Sequence, residues 1–470
     1  MKRLAVVCAF FMLLSFCVSC AAEEIVEIPE FESEVSTADL AGYNFNIVQL
    51  SSTSGLVNHI EDGNPFGYVA TTTFADAVLK RFSDVEQEYN CKINLETETS
   101  SRDNIVLAML AGTYFGESIF SSDIQVMDSF AGSGVFLPIS GLSAINLSDA
   151  DKWGDFSIME MNAYKGEIYG VTPMYWPLRQ PHAINVIVSN LSLVNKYNLF
   201  DPRENVENGT WNWDAFEQLV STYYIVDAEK IYTAMACRYF DFVKLCVFGN
   251  GVNILYTNEN GETVSDIYSQ KASDAFAWAK YIWTNYKSNF QYSDASPEWT
   301  WIADNLINED CVTALSPTWM VYDTFAQEIE QFAIYPFPIG PNGTMGQWPS
   351  VLEGTEFFSV PFSSKEPDIS AFLIDKICEP LNGFENEEAI SEYIARNVLF
   401  DERDTDILLN LYKTGRFSYW PSGADGFWRP FGYAMDNKTP SEFFESNISI
   451  FEEIIEEYMI PNQAIADYLK

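Results

Sequence analysis

Histidine is nearly absent from this chain, and positive charge is scarce. The 470 residues hold two histidines and 26 Lys plus Arg against 67 Asp plus Glu, a formal net charge of −41. A surface this negative repels phosphate backbones and anionic head groups, which argues against nucleic acid as a partner. With only His59 and His182, a Ser-His-Asp triad has little material. Cysteine is sparse after the first 20 residues, at Cys91, Cys237, Cys246, Cys311 and Cys378. These five form no Cys-x-x-Cys pair, so neither a zinc site nor a redox motif is written there. Cys237 and Cys246 are the closest in sequence and the one pair offered for a bridge, but buried free thiols are the plainer reading. No Gly-x-x-x-x-Gly-Lys-Ser/Thr and no Gly-x-Gly-x-x-Gly occurs, hence no phosphate cradle. Lys413-Thr414-Gly415 matches one element of penicillin-binding enzymes, but no Ser-x-x-Lys accompanies it.

Long apolar runs are missing too. Lys2 and Arg3 precede an apolar segment, Leu4–Phe16, that is shorter than the roughly 20 residues a spanning helix needs. It has the proportions of an export signal. Shortly after it, Val18-Ser19-Cys20 resembles the lipobox of bacterial lipoproteins, with Cys17 where an aliphatic residue is usual. That resemblance implies a signal peptide over 1–19, lipidation of Cys20 and a protein held at the extracellular face of the bacterial cell membrane by acyl chains, each buried CH₂ contributing about 0.8 kcal/mol. The acidic, weakly patterned stretch 20–42 reads as a tether.

Apolar and aromatic residues are abundant, at 47% and 15%, enough for a sizeable core, and the length predicts two packed units. Tyr43–Leu50 alternates and then runs apolar, as a strand does. Phe74, Val78, Leu79, Phe82, Val85 and Tyr89 fall at helical spacing. Lys92–Thr97, a short helix over Ile105–Ala111 and a strand over Ser122–Met127 continue the alternation, which predicts an α/β unit with a parallel sheet. A second unit is expected past Asn146. It has strands over Ala183–Val188, Cys311–Leu315 and Phe332–Tyr335, an amphipathic start at Trp211, Trp213, Phe216 and Leu219, and a helix over Ala272–Tyr286. The last 70 residues or so read as mostly helical, with Trp420 and Trp428 in a loop. Asp149, Asp151, Gly154, Asp155 and Glu160 have the spacing of a calcium-binding loop, but Trp153 occupies a position that should supply oxygen. An acidic helix start is the plainer reading.

Four ordered stretches carry a family resemblance. These are Leu107–Gly112 with Ser122–Ile124 and Gly134–Pro138; Tyr164–Pro173 (YKGEIYGVTP); Val186–Leu199 with Thr210–Phe216 (TWNWDAF); and Val312–Trp319 with Tyr335–Pro341 (YPFPIGP). Together, over about residues 43–400, they resemble the extracellular solute-binding proteins of ABC importers, of the maltose-binding-protein-like sugar type. The resemblance implies a two-lobed, periplasmic-binding-protein-like α/β fold, each lobe a sheet flanked by helices, joined by a hinge. It places lobe I over 43–145, lobe II over 146–354, a return to lobe I over 355–400, and a C-terminal helical part over 401–470 packing mainly on lobe II. It implies a monomer without cofactor that clamps a sugar or oligosaccharide and hands it to permease subunits.

Sugar recognition needs aromatic faces for the pyranose and planar polar groups for its hydroxyls. The resemblance puts Trp319 at the cleft, after a strand. Tyr175 and Trp176 come just after Pro173, with Arg179 nearby. Asp128 and Ser52 stand at the carboxyl ends of predicted strands, where α/β sheets bind ligands, and Trp420 and Trp428 form a loop able to close over the site. A surface-anchored carbohydrate-active enzyme, with two of the 67 acids as catalyst, stays open, since carboxylate separation is a three-dimensional property.

Overall fold

The computed structural model describes residues 39–50, 73–98, 118–123, 134–154, 167–173, 185–228, 230–253, 256–257, 263–264, 266–292, 299–350 and 356–414, with isolated positions at 104–111 and 439–446. The strands are β1 Tyr43–Leu50, β2 Cys91–Glu98, β3 Ser118–Asp123, β4 Val186–Asn190, β5 Ile225–Val226 and β6 Ile231–Cys237. They continue as β7 Tyr256–Thr257, β8 Thr263–Val264, β9 Phe290–Tyr292, β10 Cys311–Ser316, β11 Phe332–Tyr335 and β12 Glu356–Ser359. The principal helices are α1 Thr73–Tyr89, α2 Ala150–Trp153, α3 Leu191–Lys196, α4 Pro202–Glu207, α5 Trp213–Thr222 and α6 Tyr239–Gly249. After them come α7 Gln270–Tyr286, α8 Trp299–Ile307, α9 Pro367–Ile377, α10 Glu387–Asn397 and α11 Glu402–Thr414.

The first sheet has four strands in the order β12-β3-β1-β2. β1 lies parallel to both β2 and β3, with Phe45 opposite Ile93 and Ile47 opposite Ile119. Its fourth strand arrives more than 200 residues later: β12 runs antiparallel to β3, Glu356 facing Asp123. Phe45, Phe120 and Phe357 are each 0% exposed, as expected for a sheet covered on its faces. α9 packs on α1, where Tyr89 meets Phe372 edge-on at 4.9 Å. The short α2 is tied to α9 by a buried ion pair, Lys152 Nζ to Asp375 Oδ1 at 2.7 Å. The lobe boundary expected at 145/146 therefore falls beside a segment whose buried anchor belongs to the first sheet's layer.

The second sheet has six strands, β11-β4-β10-β6-β5 with β9 beside β6. β6, β9 and β10 are parallel, and β4 runs against β10 and β11. Helix starts are well specified: the Asn212 side chain accepts from the backbone N–H groups of Asp214 and Ala215 at 3.1 Å each, and Asn190 caps α3 likewise. α11 packs against β11, and Arg203 of α4 reaches it through Asp404 at 3.1 Å and, one residue before its start, Asp401 at 3.0 Å.

β3 starts at Ser118, four residues before its expected start, and β4 starts at Val186, with Asn185 outside the strand; residues 124–127 and 183–184 of the expected strands lie outside the described residues. β6 and α6 have no counterpart in the sequence pattern. Both are buried almost throughout, so neither carries the alternation or the amphipathic period that marks a half-buried element.

Candidate functional site

Strand direction decides where a ligand could be held. β1, β2 and β3 finish at Leu50, Glu98 and Asp123; β6, β9 and β10 finish at Cys237, Tyr292 and Ser316. The chain leaves the first sheet's framework after Pro173 and enters the second at β4, whose Val186 faces Ser316. It returns after Ser350 into β12, whose Glu356 faces Asp123. The first crossing thus meets both sheets at their carboxyl edges and the second meets the first sheet at its carboxyl edge, and the carboxyl edge of such sheets is the usual ligand crevice. On the first-sheet side the crossings are stitched together: Val171 and Phe358 exchange backbone hydrogen bonds at 3.0 and 2.7 Å, and the Leu137 N–H donates to the Val360 carbonyl at 2.8 Å.

Trp319 stands directly at this edge. β10 ends at Ser316, Pro317 breaks the strand, and a helix opens at Thr318–Met320, widens into a π-turn over Val321–Phe325 and closes at Ala326–Glu328. A π-turn inside a short helix is a frequent mark of functional segments. Thr318 and Met320 are buried, and Trp319 is half-buried against the core, so part of its side chain remains accessible. The segment is braced from behind by the hydroxyls of Tyr322 and Tyr412, which hydrogen bond to each other.

Where β6 ends stands a charged constellation that the sequence reading missed. Arg238 Nε donates to Asp241 Oδ2 at 2.5 Å, Lys244 Nζ lies 3.2 Å from Asp241 Oδ1, and Arg238 rests over the Phe240 ring at 4.5 Å. Burial pushes the Asp241 carboxyl upward, yet the two cations together hold it below its ordinary value. Tyr239 stacks on Trp283 at 3.9 Å, and Trp283 meets Tyr292 edge-on at 4.6 Å. The legible signal was three charges of alternating sign at i, i+3, i+6 in an otherwise apolar run. Asn185, just before β4, is 0% exposed, and neither atom of its carboxamide has a hydrogen-bond partner among the described residues. Nothing in the sequence marked it.

Of the residues expected at the site, Trp319 is the one within the described residues. Ser52, Asp128, Tyr175, Trp176, Arg179, Trp420 and Trp428 lie outside them, as does Cys20. Many of the described aromatic residues pack inside the second sheet's layer, as their abundance predicts for a sizeable core. There Trp213 stacks on Trp278 at 4.4 Å, and Trp211 meets Tyr335 edge-on while its Nε1 donates to the Pro336 carbonyl at 2.7 Å. The bridge considered between Cys237 and Cys246 is not formed; both are free, buried thiols, and burial raises both well above the ordinary thiol range. In the calcium-like stretch, Trp153 is fully buried with Nε1 on the Asn146 carbonyl, Lys152 is committed to Asp375, and 155–160 lie outside the described residues. Among the described residues no group of three or more His, Cys, Asp or Glu converges as metal ligands, and no helix is long and apolar enough to cross a membrane.

The geometry can be set beside solved structures. The chain is similar to an ABC substrate-binding protein of Listeria monocytogenes in complex with cycloalternan, at TM-score 0.58 and 14% identity, covering 88% of this chain and 98% of that one. It is similar to the sugar-binding protein MalE from Xanthomonas citri, at TM-score 0.59 and 12% identity over 90% and 98%. A cyclo/maltodextrin-binding protein complexed with maltotetraose matches at TM-score 0.59 and 12% identity over 87% and 97%. No family model matches the chain, and no curated protein matches it in sequence. The chain therefore has the two-lobed, periplasmic-binding-protein-like α/β fold of ABC-transporter solute-binding proteins. β1–β3 and β12 belong to one lobe, and the sheet from β4 to β11 to the other.

Proposed function

We propose that this protein is an extracellular solute-binding protein that captures a sugar or oligosaccharide between its lobes and delivers it to an ABC importer. The observation that carries the reading is the passage of the chain from the carboxyl edge of one sheet to that of the other, with a half-buried Trp319 at the second of these edges. The likeness to saccharide-bound structures over nearly nine-tenths of the chain supports it. Trp319 offers a flat apolar face for a pyranose ring. The remaining proposed contacts are Tyr175, Trp176, Arg179, Asp128 and Ser52, with Trp420 and Trp428 as a closing loop. We propose that the chain passes from one lobe to the other between Pro173 and Asn185 and returns between Ser350 and Glu356. Cys20 as lipid anchor, a monomeric state and permease subunits as partners complete the proposal; the lipobox-like Val18-Ser19-Cys20 supports the first of these.

A thermal-shift screen of the purified protein against linear and cyclic α-glucans and other saccharides tests it. A ligand that binds only the folded state at a hundred times its Kd adds about 2.7 kcal/mol of stability, a shift of several degrees. Glycan release monitored in the same wells separates receptor from enzyme. No shift with any saccharide, or turnover abolished by a single Asp or Glu change, overturns the reading.

A further inference from the structure

A regular helix fixes the direction of its side chains by its own ladder, and no such ladder runs through the segment that carries Trp319. The Met320 N–H bonds the Pro317 carbonyl three residues back at 3.1 Å. The Ala326 N–H reaches the Val321 carbonyl five residues back, and the Ile329 N–H bonds the Phe325 carbonyl four residues back at 2.9 Å. Tight, wide and ordinary turns thus follow one another between Pro317 and Ile329. A wide turn holds one residue more than an ordinary one, which rotates whatever precedes it relative to whatever follows. The direction of Trp319 is therefore set by what grips the wide turn from outside.

Apolar burial supplies part of that grip, since Met320, Val321 and Phe325 are buried. Apolar contact is non-directional, however, whereas a hydrogen bond weakens steeply when its angle is lost. A directional tie is present: the buried hydroxyl of Tyr322, inside the wide turn, hydrogen bonds to that of Tyr412 on α11, 90 residues further along. α11 is itself locked at both ends. Arg203 holds Asp404 in its first turn, and Lys413 near its end bonds Glu387 of α10 at 2.7 Å. Between them Ile407, Leu408 and Leu411 are buried. Tyr412 thus presents its hydroxyl from a fixed helix to a turn that its own backbone does not fix.

We propose that Tyr412 is a positioning residue for the saccharide site: through Tyr322 it holds the wide turn and, with it, the direction of the Trp319 side chain. Tyr412 is buried and acts from behind the segment, without touching the ligand. Its part is to orient the indole before a ligand arrives, so that binding does not bear the cost of ordering it. The inference deepens the receptor reading and rests on it in taking Trp319 as the sugar-stacking platform.

The experiment places 5-fluorotryptophan in the full chain and records fluorine NMR spectra, first without ligand. Trp319→Phe identifies the Trp319 resonance among the 12 tryptophans. Tyr412→Phe removes one oxygen and keeps the ring, and is expected to shift or split that resonance. Tyr322→Phe breaks the same bond from the other side, is expected to do the same, and keeps the test open should Tyr412→Phe fold poorly. The double variant moves the resonance no further than the larger single change. Calorimetric titration with a linear α-glucan is then expected to show affinity about fivefold weaker in either single variant, the worth of one hydrogen bond. A Trp319 resonance unmoved in both variants, whatever happens to the melting temperature, overturns the assignment. So does a moved resonance with α-glucan affinity equal to that of the parent. A moved resonance in a protein whose parent binds no saccharide leaves the positioning of Trp319 by Tyr412 standing and counts against the receptor reading alone.

Discussion

Asp404 gives an expectation opposite to what its ion pair suggests. Its carboxylate is 0% exposed, with Oδ1 at 3.1 Å from Arg203 and Oδ2 without a hydrogen-bond partner among the described residues. Loss of water pushes this carboxyl from 3.8 up to about 7, and Arg203 offsets only part of the effect. The guanidinium is shared: Asp201 takes it through Nε and Nη2, at 3.0 and 2.6 Å, and Asp401 takes Nη1 at 3.0 Å. Asp404, the only fully buried one of the three acids, receives the smallest share. In the unfolded chain it ionises near 3.8, so between about pH 4 and pH 7 the folded state holds a proton that the unfolded state lacks, and stability falls as pH rises through that window. The interval from 3.8 to about 7, at 1.36 kcal/mol per pKa unit, corresponds to about 4 kcal/mol. Asp404→Asn removes this titration while leaving Arg203 two carboxylates and an amide oxygen to bond. Urea unfolding at pH 5 and pH 8 on both proteins isolates the effect as a difference of differences. The variant is expected to lose less stability between the two pH values, by a few kcal/mol, and to be at least as stable as the parent at pH 8. An equal pH dependence in both proteins, or a variant several kcal/mol weaker at pH 8, refutes the reasoning.

Trp319→Ala is expected to weaken saccharide binding roughly tenfold or more, as loss of an aromatic anchor does, with Trp319→Phe retaining part of it; calorimetric titration distinguishes this from a change confined to melting temperature. Lys152→Met strands the buried Asp375, which among the described residues keeps only Lys376 at 3.3 Å as a cationic partner, and should cost about 3 kcal/mol in urea unfolding. Adding Asp375→Leu should recover most of that loss, and a single variant within about 0.5 kcal/mol of the parent contradicts the assignment of this pair as the anchor of α2.

Legibility in the sequence tracked burial geometry. Tyr43–Leu50 and Phe332–Tyr335 were readable to the residue, because short apolar runs between turn-formers have one sensible reading. α7 was readable because its aromatic residues keep helical spacing on a half-buried helix. α6 escaped because burying every side of a helix erases its period. Trp319 could be proposed from its place after a strand and a proline. Asn185 could not, since its significance lies in partners it lacks, and a sequence displays no missing hydrogen bonds.

The late arrival of β12 has a consequence for how the molecule is made. The second sheet is encoded without interruption between Val186 and Tyr335, whereas the first keeps the edge of β3 unpaired until Glu356 has emerged. A chain growing from its N-terminus therefore completes its later lobe before its earlier one. For all that time the β3 edge is a template open to any passing strand. Secretion of the chain in an unfolded state, with both lobes released together, would remove that exposure.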